Sequence, residues 1–199
     1  MYSQNEEEKI ILNYFKEKGT FIDIGSNDGV TLSNTRALAE LGWAGICVEP
    51  SPLAYDKLYE LYKDSENIYT YPFALGVTNG LVKMWDSGEH LGNGDSGLLS
   101  TMTDEDYNKW RNAVDYKEIE VRCFRWKTFL NRVKYKKFDF ISIDIEGMEV
   151  AVLEQIDLRD TMLVCAEWNS KPEVKAEFDR LMIGFNVIYQ SIENLIYAR

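Results

Sequence analysis

Apolar and polar positions along the chain follow two alternating rhythms. Short apolar runs, four to eight residues long, read as strands over residues 20–24, 46–49, 68–75, 138–145 and 162–166. Between them, apolar residues recur three and four apart, the spacing of a helix with one buried face. This pattern predicts helices over 6–18, with Ile10, Ile11, Tyr14 and Phe15 inward and Gly19 as the stop, and over 32–41, with Leu38, Ala39 and Leu41 inward and Gly42 as the stop. Ser51-Pro52 starts the next, Ser51 as cap and Pro52 in the first turn, with Leu53, Leu58, Leu61 and Tyr62 on its buried face. Further helices run through Val150, Leu153 and Ile156 and over 172–182, and residues 185–190 and 194–197 close the chain as an antiparallel pair. Strands separated by helices make an α/β fold whose mostly parallel sheet is covered on both faces.

The middle breaks the rhythm. Residues 81–85 and 118–124 alternate as strands, the second placing Ile119, Val121 and Cys123 on one face. Between them, Asp86-Ser-Gly-Glu-His-Leu-Gly-Asn-Gly-Asp-Ser-Gly97 is too rich in glycine for a helix or a packed strand. It is either a surface loop or a lid that orders over a ligand.

A chain of 199 residues fits one domain, here 1–199 with a glycine-rich insert at about 86–117. The net charge of −11 works against a general grip on nucleic acid or anionic membranes. Cys47, Cys123 and Cys165 lie in apolar runs without paired spacing and read as buried thiols of a reducing compartment. The polar, acidic start lacks a signal-peptide core, and no run nears the ~18 apolar residues of a membrane span, so a soluble cytoplasmic protein is expected.

Candidate chemistry sits where strands end. In an open parallel sheet, ligands bind beyond the carboxyl ends of the strands. Four of those ends carry acids: Asp23 before a Gly25-x-x-x-Gly29 turn, Glu49, Asp144 with Glu146, and Glu167. A sheet interior tolerates no unpaired carboxylate, so these acids project into a shared cleft. Glu49 is placed either to bind a ribose or to cap the helix after Ser51. The turn lacks the glycine spacing of a dinucleotide site, because Asn27 stands where the second glycine would be and Asp28 adds negative charge. A cofactor with a ribose, an amine and a sulfonium but no phosphate suits such a cleft, which describes S-adenosylmethionine.

The segments FIDIGSNDG, GWAGICVEPSP, PFALG, GDSGLL and FDFISIDIEGMEVAVL, with a terminal GF…EN region, resemble the FkbM-type S-adenosylmethionine-dependent methyltransferases from about Phe21 to Tyr197. The Asp-x-Glu-Gly-x-Glu block at 144–149 is the most specific of these; the glycine turn is common to class I methyltransferases. The resemblance implies a Rossmann-like three-layer α/β/α sandwich with a seven-stranded sheet and an antiparallel last strand. It also implies that Asp23, Gly25, Ser26, Asn27 and Gly29 surround the methionine part of the cofactor and that Glu49 takes the ribose hydroxyls. Phe73 and Ala74 would border the adenine, and Asp144 would face the amino or reacting end. Many relatives carry Lys two residues before the block's first Asp, where this chain has Ser142.

The expected activity is O-methylation of a hydroxyl on a sugar or related small metabolite. Glu146, Glu167 and His90 are the candidates to take the hydroxyl proton, with Asp144 available if the cofactor does not occupy it. His90 is the single histidine and lies in the glycine-rich loop, where an incidental surface role competes with a catalytic one. The same acids would suit Mg²⁺ or Ca²⁺, which prefer oxygen ligands, although no metal site is assigned. A nicotinamide-dependent oxidoreductase and a non-catalytic methyltransferase-like binding module are the competing readings. Trp85, Trp110, Trp126 and Trp168 stack on a sugar face in the first reading and pack in the core or rim otherwise.

Overall fold

The computed structural model describes residues 1–89 and 96–199. Its strands are β1 (Thr20–Ile24), β2 (Ala44–Val48), β3 (Ile68–Tyr71), β4 (Ala74–Leu75), β5 (Gly80–Asp86), β6 (Lys117–Phe124), β7 (Phe140–Ile143), β8 (Leu163–Glu167), β9 (Asn186–Gln190) and β10 (Asn194–Ala198). The helices are α1 (Glu7–Tyr14), α2 (Arg36–Glu40), α3 (Pro52–Tyr62), α4 (Asp104–Trp110), α5 (Trp126–Leu130), α6 (Glu149–Leu153) and α7 (Pro172–Leu181). Seven strands form one sheet in the order β3-β2-β1-β7-β8-β10-β9. β10 inserts antiparallel between β8 and β9, and β1, β2, β3, β7 and β8 run parallel. No helix among the described residues is long and apolar enough to cross a membrane.

Period-two alternation sends the two sides of each strand into two separate cores. Phe21, Cys47, Phe140, Leu163, Cys165 and Ile196 pack with Ile11 of α1, Leu38 of α2, and Leu58 and Tyr62 of α3. Ile22, Ile24, Ile46, Val48, Ile141 and Val164 instead meet Phe129 of α5, Val152 of α6 and Phe178 of α7. The result is a three-layer α/β/α sandwich. All three cysteines are buried free thiols.

Several local expectations are corrected. The strand expected over 68–75 divides at Pro72, which has no N–H for the ladder; β3 stays in the main sheet while β4 joins β6 and β5 in a second sheet. The helix expected from residue 32 begins only at Arg36, because Leu32 is left-handed (φ 55°) and the Ser33 hydroxyl accepts from the Arg36 amide at 3.1 Å. Leu41 and Leu53 are exposed rather than inward. Ser51 does not cap α3 through its side chain; its hydroxyl donates to Asp86 Oδ1 at 2.6 Å. Within the insert at about 86–117, where no helix was expected, α4 forms behind a cap, Thr103, whose hydroxyl accepts from the Asp106 amide at 3.2 Å.

Candidate functional site

Strand register explains why the acids meet. Asp23 pairs with Cys47 on one side and with Ser142 on the other, and Ser142 pairs with Cys165. One pleat further along, on the same face, stand Gly25, Glu49, Asp144 and Glu167. β1 is the strand at which the sheet order reverses, so the row lies at a topological switch point. The β1 member of that row has no side chain. Gly25 is left-handed (φ 84°), and a Cβ there would lie 1.7 Å from the Asp144 carbonyl oxygen, so only glycine lets the turn pass β7.

Beside this turn opens a hollow of about 870 Å³ including its mouth, a size suited to a small-molecule ligand. Asp23, Gly25, Ser26, Asn27 and Glu49 line one part of it, and Phe73, Ala74, Asp144 and Glu146 another. Gly29 is not among the lining residues: a Cβ on it would lie 2.7 Å from Leu58, so it seats the turn against α3. Glu167 faces a neighbouring cavity instead. His90 lies outside the described residues, while the downstream end of its loop, Gly97, Leu98 and Ser100, borders the hollow.

The buried acids are held by specific donors. Thr35 Oγ1 donates to Asp23 Oδ2 at 2.6 Å. Glu49 spans two loops, accepting from the Asn27 amide at 2.9 Å and from the Ser51 amide at 2.7 Å, so it holds the start of α3 while lining the hollow. Asn27 is itself left-handed (φ 49°), and its side-chain amide donates to the Ser96 carbonyl at 2.6 Å. In the Asp144–Glu149 turn, the Glu149 carboxylate accepts from the Ile145 amide at 2.9 Å and the Gly147 amide at 3.1 Å, holding Glu146 in a left-handed conformation (φ 52°). One oxygen from each of Asp144, Glu146 and Glu167 lies within 4.8 Å of the others, the spacing of a cation-ligand set. Trp126 and Trp168 are core residues, and Trp85 stacks on Tyr107 at 4.1 Å.

Burial dominates the electrostatics. Asp23 is pushed up to about 6 by desolvation, against the Thr35 and Ser142 hydrogen bonds, and Glu49 to about 7 by desolvation, against its two backbone donors. Asp144 rises to about 6 through desolvation and the charge of Asp23. Glu146 and Glu167 rise well above the ordinary carboxylate range, first by desolvation and then by the charge of Asp144. A cation entering the hollow relieves this strain, whereas a diphosphate adds to it.

The raised values of Asp23 and Glu49 have a thermal consequence. Both hold protons in the fold at pH values where the unfolded chain, at 3.8 and 4.5, has released them. Their contribution to stability is complete below about pH 4 and is lost as pH rises through about 6 to 7. The ligand-free protein therefore melts at a lower temperature at pH 7.5 than at pH 5, by roughly 5 °C or more. Thermal denaturation of wild type and Asp23→Asn checks this: the variant has the flatter pH dependence, and equal slopes contradict the assignment.

Sequence reasoning did not find Thr35, the hydroxyl that holds Asp23, nor Asn34, whose Oδ1 is buried beside Ser142 without a partner among the described residues. It included Glu149 in a motif without seeing that its carboxylate caps the turn. The acid five residues after Asp144 was the available signal.

A family model described as Methyltransferase FkbM domain matches residues 23–185. Among solved structures, the fold is similar to a ribosomal protein L11 methylase from Lactobacillus delbrueckii subsp. bulgaricus, with TM-score 0.52 and 12% identity over 97% of this chain and 76% of that one. It is similar also to a putative RNA methyltransferase from Pyrococcus horikoshii, with TM-score 0.52 and 13% identity over 98% of this chain and 82% of that one. No curated protein matches the sequence.

Proposed function

Since the chain belongs to the FkbM family of S-adenosylmethionine-dependent methyltransferases, we propose that it methylates a hydroxyl of a sugar or related small metabolite. The observation that carries this reading is the row Glu49, Gly25 and Asp144 at the switch point, all three lining one hollow, with Glu167 beside it. In this reading the methionine part of the donor lies along Asp23, Gly25, Ser26 and Asn27, beside the turn that Gly29 seats. Glu49 accepts from the ribose hydroxyls, Phe73 and Ala74 border the adenine, and Asp144 faces the amino or sulfonium end.

The acceptor oxygen attacks the methyl carbon in line. When bound, the donor would supply a methyl carbon whose bond to sulfur breaks with the electron pair left on sulfur, giving a neutral thioether. Much of the acceleration comes from holding oxygen against carbon. The hydroxyl proton passes to Glu167, with Glu146 beside it, and desolvation and the charge of Asp144 make both carboxylates stronger bases than usual.

Mass-spectrometric detection of methyl transfer from S-adenosylmethionine to a panel of sugars and polyols tests the proposal. Methylated product is expected; donor binding without transfer to any hydroxylated acceptor favours the binding-module reading. The Asp144, Glu146 and Glu167 oxygens, within 4.8 Å of one another, favour one second reading, in which Mg²⁺ or Ca²⁺ bound there acidifies the acceptor hydroxyl. Turnover unchanged in chelator is the outcome expected of carboxylate catalysis. Loss in chelator, restored by a divalent ion, moves the assignment to the metal.

A further inference from the structure

We infer that the cavity next to the donor hollow is the acceptor site and that its charge selects hydroxylated acceptors bearing an ammonium group, an amino sugar being the simplest. This rests on the methyltransferase reading and adds the substrate class. The cavity holds about 640 Å³ including its mouth and is walled by the α4 cap at Thr103, by Trp168 and Asn169 after β8, and by Val174 of α7. It shares a wall with the donor hollow. Asp144, Ile145 and Glu146 of the Asp144–Glu149 turn face the hollow, while Gly147, Glu149 and Val150 face the cavity. Glu167 looks into the cavity and still places an oxygen within 4.8 Å of Asp144 and Glu146, so the carboxyl trio stands where a donor on one side meets an acceptor on the other.

The cavity's charges are unevenly spent. Lys171 is its one cation among the described residues, and it pairs with Glu105 at 3.1 Å and Asp106 at 3.8 Å. Glu149 is occupied by the Ile145 and Gly147 amides. Among the described residues, neither Glu167 nor Glu173 has an ion-pair partner, and both line the cavity. A bound ammonium supplies the missing positive charge, whereas a carboxylate or phosphate on the acceptor faces repulsion at short range. Reaction at the acceptor hydroxyl follows the displacement above, with the proton going to Glu167 and the ammonium unchanged.

Chemical-shift titration of the full chain loaded with S-adenosylhomocysteine tests this with glucosamine, glucose and glucuronate. Glucosamine is expected to shift the backbone amides of residues 103–106 and 167–174 saturably. Glucose is expected to bind about five-fold more weakly, the effect of one partly solvated charge pair, and glucuronate not at all. Val174→Phe, which fills the cavity, abolishes the glucosamine response with the affinity for S-adenosylhomocysteine retained, and Glu173→Gln narrows the gap between glucosamine and glucose. Equal binding of the three sugars, or no glucosamine response in protein that binds S-adenosylhomocysteine, overturns this inference alone. Failure to bind S-adenosylhomocysteine overturns the methyltransferase reading beneath it.

Discussion

Glu167→Gln lowers kcat by about 100-fold or more, within the ~10²–10⁴ that a positioned base contributes, and leaves the affinity for S-adenosylhomocysteine within about two-fold. The separation follows from position: Glu167 lines the cavity beside the donor hollow and not the hollow itself. Glutamine keeps the size and one carbonyl oxygen but cannot accept the hydroxyl proton. Because burial and the charge of Asp144 both oppose the ionised form of Glu167, the neutral amide relieves repulsion, so the variant melts no lower than wild type at pH 7.5. Steady-state kinetics, calorimetry and thermal denaturation on one preparation measure all three. Full turnover in Glu167→Gln sends the proton to Glu146, whose glutamine variant then shows the loss.

Gly25→Ala removes donor binding altogether. Its Cβ would stand 1.7 Å from the Asp144 carbonyl oxygen and 3.1 Å from the Ile145 side chain, on a residue whose φ is 84°. The first of these contacts is with backbone and yields only by separating the end of β1 from β7, where the Asp144 amide donates to the Ile24 carbonyl at 2.9 Å. Left-handed strain alone costs about 1–3 kcal/mol, and displacement of the Asp144 turn adds to it. A melting temperature lowered by roughly 5 °C or more, together with loss of saturable binding, is the expected pair of results. Wild-type affinity in this variant would mean that the donor does not sit along the Gly25 turn.

Much of the site was readable because strand geometry is periodic. Acids that end neighbouring parallel strands are readable as a group, and the register that pairs Asp23 with Cys47 and Ser142, and Ser142 with Cys165, puts Glu49, Asp144 and Glu167 on the face of Asp23 at one edge. What was not readable depends on partners distant in sequence. Ala74 and Leu75 pair with Cys123 and Phe124, a connection no local pattern announces, and so the break at Pro72 looked like the interior of one strand. The delayed start of α2 turns on Ser33 and on left-handed Leu32, where local hydrogen bonding overrides apolar spacing. Leu53 and Leu41 fit a helical pattern but lie outside the stripe that the sheet covers. Gly29 belongs to the same turn as Gly25 yet serves packing against α3, a distinction that sequence spacing does not carry.

Calorimetric titration of the purified wild-type chain with S-adenosylhomocysteine, and separately with NADH, tests the central claim most directly. One saturable site for S-adenosylhomocysteine and none for NADH is the result expected of an acid-lined hollow at the end of β1. Saturable NADH binding with no response to S-adenosylhomocysteine would contradict it.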